Sequence, residues 1–355
     1  MHHTAMINVL FYALVFILIA AAGFSAFKTR AIEQAHPNIG ELTDIGDLRI
    51  NALHLPRPAT ADLPPLIFIH GASGNLRDQF EAFAGPLAGR AEMLFVDRPG
   101  HGYSERGGPE NALPSGQADA IARLMEKLGI AKAIIIGHSF GGAIAASFGV
   151  RHPDKTAGLL FLAPATHPWP GGIDWYYTLA AMPVLGWLFS HLLVIPMGLR
   201  RVESGTRNIF RPNERPTDYV EKTAPALVLR PKTFRNNAVD VVNLFAYVSA
   251  LAPRYREIKA PTVIITGDSD DIVMEELHSR GLARDIPGAE LVTIRNLGHK
   301  PDYVATDVAI AAMERLAGAS RDLQSLARQA EARIANLKPQ PATEIAAPSQ
   351  AVSTS

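Results

Sequence analysis

The chain has 355 residues and not one cysteine. That absence removes disulfides, thiolate metal sites and a cysteine nucleophile together. It leaves the compartment open, because a chain without thiols can work on either side of a membrane. Charge of one sign is lacking too: 34 Lys and Arg balance 34 Asp and Glu. A nucleic-acid partner is therefore not expected, since such proteins carry a basic surplus. The 12 histidines are dispersed, with no HExxH or other clustered ligand spacing, so no metal is expected and no cofactor is implied. Charged residues make up only 19% and apolar residues 48%, which suits a folded core with a membrane-facing part.

What the chain does have is one long hydrophobic run. Ile7 to Phe27 reads "INVLFYALVFILIAAAGFSAF", with Asn8 and Ser25 its only strongly polar side chains. About 20 apolar residues cross a bilayer as a helix. Ala20-Ala21-Ala22 resembles a signal-peptidase site, but the preceding "MHHTAM" has no Lys or Arg and the apolar run continues past that site. Residues 1–30 are thus expected to be a single-pass anchor with residues 7–27 in the lipid, the alternative being secretion after cleavage. Lys28 and Arg30 follow the run, and the positive-inside bias then leans towards a cytoplasmic face.

Downstream, short apolar runs alternate with helix-like segments. The runs are Gly46–Leu55, Pro64–Gly71, Glu92–Gly102, "AIIIGHS", Ala157–Pro164, Ala260–Asp268 and Ala289–Asn296. Helices are expected at about Asn75–Ala88, Ser115–Leu128, Phe140–His152, Met274–Ile286 and Asp302–Leu316. Unbroken β-rich runs between helices indicate a mostly parallel sheet covered on both faces. The alternation stops from Ala165 to Glu257. A helical cap fits residues 165–257 better than a second membrane span, because Pro183, Gly186, His191 and Pro196 interrupt the apolar stretch Trp175–Leu199. The core is expected over residues 40–164 and 258–317. Beyond it, Leu323, Leu326, Ala330, Ile334 and Leu337 place one apolar stripe on a helix over residues 318–338. The Pro-, Ala- and Ser-rich residues 339–355 are expected to be disordered.

The chemistry concentrates at "GHSFG". Ser139 stands between Gly137 and Gly141 where a strand should turn into a helix. Such a turn lifts the serine clear of the sheet and aims a helix N-terminus at it. A serine needs a base, and the base an orienting acid. His299, in "NLGHK", follows one apolar run; Asp270, in "GDSDDIV", follows another, with Asp268 and Asp271 as rivals. All three lie at expected C-terminal strand ends, in the chain order Ser, Asp, His. Backbone N–H groups of Phe140 and Ala72 are the expected oxyanion donors. His70, His138, Asp97 and His101 are read as structural, and His278 as a solvated helix residue.

In this order and spacing, "HGASG", "DRPGHGYS", "GHSFGG", "GDSDDIV" and "GHK" resemble the α/β-hydrolase fold superfamily, in its serine-hydrolase branch. The resemblance covers about Gly46 to Leu316. It implies an eight-stranded, mostly parallel sheet with helices on both faces, a cap after the sixth strand, and triad roles for Ser139, Asp270 and His299. A serine disfavours the dehalogenase and epoxide-hydrolase members, which use aspartate there. The expected substrate is a small hydrophobic carboxylic ester with a lipid-like part, entering past cap aromatics (Trp175, Tyr176, Tyr177, Trp187, Phe189). A carbon–carbon bond hydrolase, a cofactor-free perhydrolase and a membrane-tethered, non-catalytic binding protein are the alternatives.

Overall fold

Each apolar run forms a strand because its alternate residues meet two separate cores. The computed structural model describes residues 2–336, and within it lie β1 (Glu41–Asp44), β2 (Arg49–Leu55), β3 (Leu66–Ile69), β4 (Met93–Val96), β5 (Ala133–His138), β6 (Thr156–Leu162), β7 (Thr262–Gly267) and β8 (Glu290–Ile294). They form one sheet in the order β1-β2-β4-β3-β5-β6-β7-β8. β1 and β2 run antiparallel to their neighbours, and β4 through β8 are parallel. Ile67, Ile69 and Ile135 enter the core on one face, and Leu66, Phe68, Ile134 and Ile136 the core on the other. Burial on both sides removes the polar-out alternation of a half-exposed strand. β1 lies outside the runs read from sequence. It has four residues, pairs only along the sheet edge, and carries no buried side chain.

Helices at Leu76–Phe83, Pro114–Lys127, Phe140–Arg151 and Glu275–Asp285 fall close to their expected spans. The expected Asp302–Leu316 helix is two pieces, Pro301–Val304 and Thr306–Leu316, because Ala305 leaves the helical region at φ −131°. The insertion between β6 and β7 is helical. Trp175–Leu199 is divided into Trp175–Ala181, Pro183–Leu192 and Val194–Leu199, the first break falling before Pro183. Pro231–Leu251 is a long helix that the sequence reading left unassigned. The last helix, Leu323–Asn336, buries Leu323, Ala327, Ala330 and Ile334 on the second core. Leu337 and residues 339–355 lie outside the described residues. At the other end a single helix runs His2–Ala35.

His278 is not solvated. It is 3% exposed, and its Nδ1 accepts the backbone N–H of both Thr166 and His167, at 3.1 and 3.0 Å. The 275–285 helix thereby pins the chain where it leaves β6. A ring nitrogen that accepts two hydrogen bonds carries no proton, and burial pushes the His278 pKa down to about 4. The unfolded chain takes up this proton near pH 6.5, the folded chain only near 4, so the stability is full above 6.5 and lost as pH falls through that window. The loss from this group is about 3 kcal/mol. Urea titrations between pH 7.5 and 4.5 should show stability falling with acid. His278→Asn, which keeps an acceptor but cannot titrate, should flatten the slope by up to about 1.4 kcal/mol per pH unit.

Candidate active site

The turn after β5 is built from missing side chains. Ser139 has φ 52° and ψ −118°, a conformation that costs an L-residue on the order of 1–3 kcal/mol. A Cβ on Gly137 would strike the carbonyl oxygen of Gly141, and one on Gly141 would strike that of Ile69. The glycines thus permit both the strain and the close approach of the Phe140–Arg151 helix to β5 and β3. The turn is held by Ser139 N–H donating to Leu162 O (3.0 Å) and by Ser139 O accepting from Gly142 and Ala165 N–H (2.8 and 3.0 Å).

Past β7, Asp270 is buried while Asp268 and Asp271 are exposed. Asp270 Oδ1 accepts the N–H groups of Ile272 and Val273, both at 2.9 Å, and Oδ2 faces His299 Nδ1 at 2.7 Å. Asp268 instead accepts from Asn296 N–H and Ser269 Oγ, which makes it a turn residue. His299 follows β8, and its ring centroid lies 5.0 Å from that of His138, the residue before Ser139. The Asp270 contact uses Nδ1. Among the described residues His299 Nε2 and Ser139 Oγ have no hydrogen-bond partner, including each other. Apo geometry of this kind commonly tightens only with substrate.

The β3 loop comes close to the serine: a Cβ on Gly71 would lie 3.0 Å from Ser139 Cβ. Neither Ala72 N–H nor Phe140 N–H donates to another described residue. Two free amides beside one serine hydroxyl suit an oxyanion. His70 accepts from Arg98 N–H through Nε2 (3.1 Å) and donates through Nδ1 to Gly71 O (2.8 Å). His138 donates through Nε2 to His299 O (2.9 Å). Burial holds both far below the usual histidine range, so they act as neutral braces. Asp97 accepts from Leu76 N–H, Tyr103 N–H and Asn51 Nδ2 (2.7, 2.8 and 2.7 Å), and His101 packs against Arg98; both hold neighbouring loops.

Asp78, His138 and Asp302 bring potential ligand atoms within 4.8 Å of one another. The Lys300 ammonium already bridges the two carboxylates, at 2.8 Å from Asp78 and 2.9 Å from Asp302. Lys300, the residue after His299, thus places the protein's own cation between the two carboxylates.

The cap contributes residues that sequence reasoning missed. Asn213 Oδ1 accepts Gly298 N–H and its Nδ2 donates to Asn296 O, both at 2.8 Å, which grips the His299 loop. Asn237, fully buried on the long cap helix, accepts Ser73 N–H at 2.7 Å and donates to Ser73 Oγ at 3.1 Å, next to Ala72. One turn on, buried Asp240 pairs with Arg98 (3.0 Å) and Arg106 (2.5 Å). Arg98 lies 4.4 Å from the Phe140 ring centroid. The i, i+3 spacing of Asn237 and Asp240 on one helix face was the available signal, but their partners lie some 130 to 165 residues away.

The comparisons with known proteins agree with this architecture. A family model for the alpha/beta hydrolase fold matches residues 64–187. A 2-hydroxy-6-oxo-6-phenylhexa-2,4-dienoate hydrolase of Burkholderia cepacia is 25% identical over 68% of this chain and 83% of its own. A monoacylglycerol lipase of Xenopus laevis is 24% identical over 66% and 69%. Among solved structures, a bacterial membrane phospholipase A superposes with a TM-score of 0.61 at 20% identity, over 90% of this chain and all of its own. The chain has the α/β-hydrolase fold and is similar in sequence to hydrolases built on it.

Removing the cap's grip should lower turnover without removing substrate affinity. Asn213→Ala leaves the buried Gly298 N–H unpaired and Asn237→Ala the half-buried Ser73 N–H, each a loss of about 1–3 kcal/mol. Steady-state kinetics should show kcat down roughly 5- to 100-fold with KM changed far less. Unchanged kcat in both would mean that the cap does not position the loops.

Proposed function

We propose that the protein is a serine hydrolase that cleaves carboxylic esters with an apolar, lipid-like part. The observation that carries this reading is the buried 2.7 Å Asp270–His299 contact at the same sheet edge as the strained Ser139 turn. Ser139 Oγ attacks the ester carbonyl while His299 Nε2 takes its proton. Phe140 and Ala72 N–H groups hold the oxyanion. The tetrahedral intermediate collapses, and His299 returns the proton to the leaving alcohol. Water then attacks the acyl-enzyme with His299 as base and frees the acid. Asp270 fixes the imidazole tautomer and stabilises its charged form. The lipid-like substrate is supported by the apolar cap, in which Phe189 is buried while Trp175 and Trp187 are exposed. Residues 165–257 serve as the cap in this reading, and residues 7–27 as the membrane anchor.

A carbon–carbon bond hydrolase is the second reading, favoured by the meta-cleavage-type relatives. Against it, both terminal nitrogens of Arg98 are held by Asp240, Gln117, Gly71 O and His101, Arg207 is exposed, and Arg235 donates to Pro183 O. None of these guanidinium groups is bonded to the candidate triad residues.

A fluorophosphonate probe should label the protein, and Ser139→Ala should abolish labelling. Asp270→Asn should lower kcat on p-nitrophenyl esters by about 10⁴-fold. Turnover should rise from acetyl to longer acyl chains. Labelling that survives Ser139→Ala would overturn the serine assignment, and turnover of a 2-hydroxy-6-oxo-dienoate in preference to any ester would favour the second reading.

A further inference from the structure

We propose that the outward face of the cap helix Pro183–Leu192 is itself inserted in the bilayer beside the N-terminal helix, so that substrate enters the site from the lipid phase. This rests on the reading of residues 7–27 as an anchor and of the site as an ester hydrolase.

The N-terminal helix changes character along its length. Between Met6 and Phe24 no described side chain is buried, and the first that is buried is Ser25. That bare stretch is roughly 28 Å long at 1.5 Å per residue, close to the hydrocarbon thickness of about 30 Å. From Ser25 onward the helix docks on the cap. Ile32 packs with Ala224 and Leu227, Glu33 pairs with Arg230 at 3.0 Å, and the helix touches both Pro183–Leu192 and Val194–Leu199. The cap therefore begins where the bare span ends, at the level of the membrane surface.

At that level the cap is greasy on the outside. Val184 is 70% exposed, Leu185 57% and Trp187 52%, with Leu188 beside them, while Gly186, Phe189 and Ser190 face inward. Water is a poor neighbour for such a patch, and tryptophan favours the interface between lipid and water. Charge supports the same occupant. Arg200 and Arg201, just beyond this face, are exposed. The cap carries eleven Lys and Arg against seven Asp and Glu over residues 165–257, a basic surplus in a chain whose total formal charge is zero, and basic groups at that height meet anionic headgroups. The face is also near the chemistry. The adjacent helix Trp175–Ala181 packs on Pro183–Leu192, and its Tyr177 hydroxyl stands 3.5 Å from Ser73 Oγ, one residue from Ala72.

The absence of cysteine makes a direct test clean. Full-length Leu185→Cys carries an NBD fluorophore in vesicles of phosphatidylethanolamine and phosphatidylglycerol. Lys132→Cys, at the opposite end of the parallel strands, is the control. The label at 185 should shift to the blue and be quenched by nitroxide-bearing lipid, and the label at 132 should do neither. Equal behaviour at both sites would overturn the proposal. So would concentration-dependent self-quenching at 185 without lipid quenching, which would make the face a contact between two copies. In a second arm, Val184→Asp/Leu185→Asp should lower hydrolysis of a long-chain ester dispersed in vesicles at least 10-fold and leave a soluble p-nitrophenyl butyrate unaffected. Unchanged vesicle activity would overturn the proposal. Failure of the ester reading is separate: the unsubstituted protein would not turn over the soluble ester at all.

Discussion

Ser139 is held in a backbone conformation that almost any other surroundings would relax, and the rest of the molecule is arranged around keeping it there. The strain is local, at φ 52° and ψ −118°. Its support is distributed. β6 accepts the Ser139 N–H, the Phe140–Arg151 helix sets its Gly141 against Gly137 of β5, and the Ile69 carbonyl oxygen of β3 occupies the space that a Cβ on Gly141 would take. A cost on the order of 1–3 kcal/mol is tolerable because two cores clamp the sheet from both faces. The same closeness of backbone to backbone brings the His70–Gly71–Ala72 loop against the serine.

Polar contacts then fix what the strained turn faces. His138 donates to the carbonyl of His299, Asp270 orients its ring, and Lys300 ties the next residue to Asp78 and Asp302. The cap closes the arrangement through Asn213 on the His299 loop and Asn237 on the β3 loop. It is therefore better described as a docked part of the site than as a swinging lid. Asp240, buried between Arg98 and Arg106, belongs to the class of ion pairs whose disruption is costly because one charge is left buried alone.

Much of this was legible in the sequence, for a definable reason. Strands buried on both faces leave continuous apolar runs, and the runs end where functional loops must begin, so "GHSFG", "GDSDDIV" and "NLGHK" could be placed at one sheet edge. The choice of Asp270 over Asp268 and Asp271 could only be ranked from sequence; burial distinguishes them in the structure. What could not be read was long-range polar pairing. Asn213, Asn237 and Asp240 look like ordinary surface residues in a charged stretch, and His278 looks solvated on a helix with little apolar character. Each acquires its role from a partner more than 80 residues away. β1 escaped because four edge residues without a buried side chain leave no periodic signal.

The central claim is that Ser139 becomes acylated during turnover. Rapid acid quenching of the full-length protein during hydrolysis of a p-nitrophenyl ester, followed by peptide mass spectrometry, tests it directly. The expected result is the acyl mass on the peptide that carries Ser139, at a level that accumulates when deacylation is slowed. Steady hydrolysis with Ser139 unmodified throughout, or an acyl group on any other residue, would contradict it.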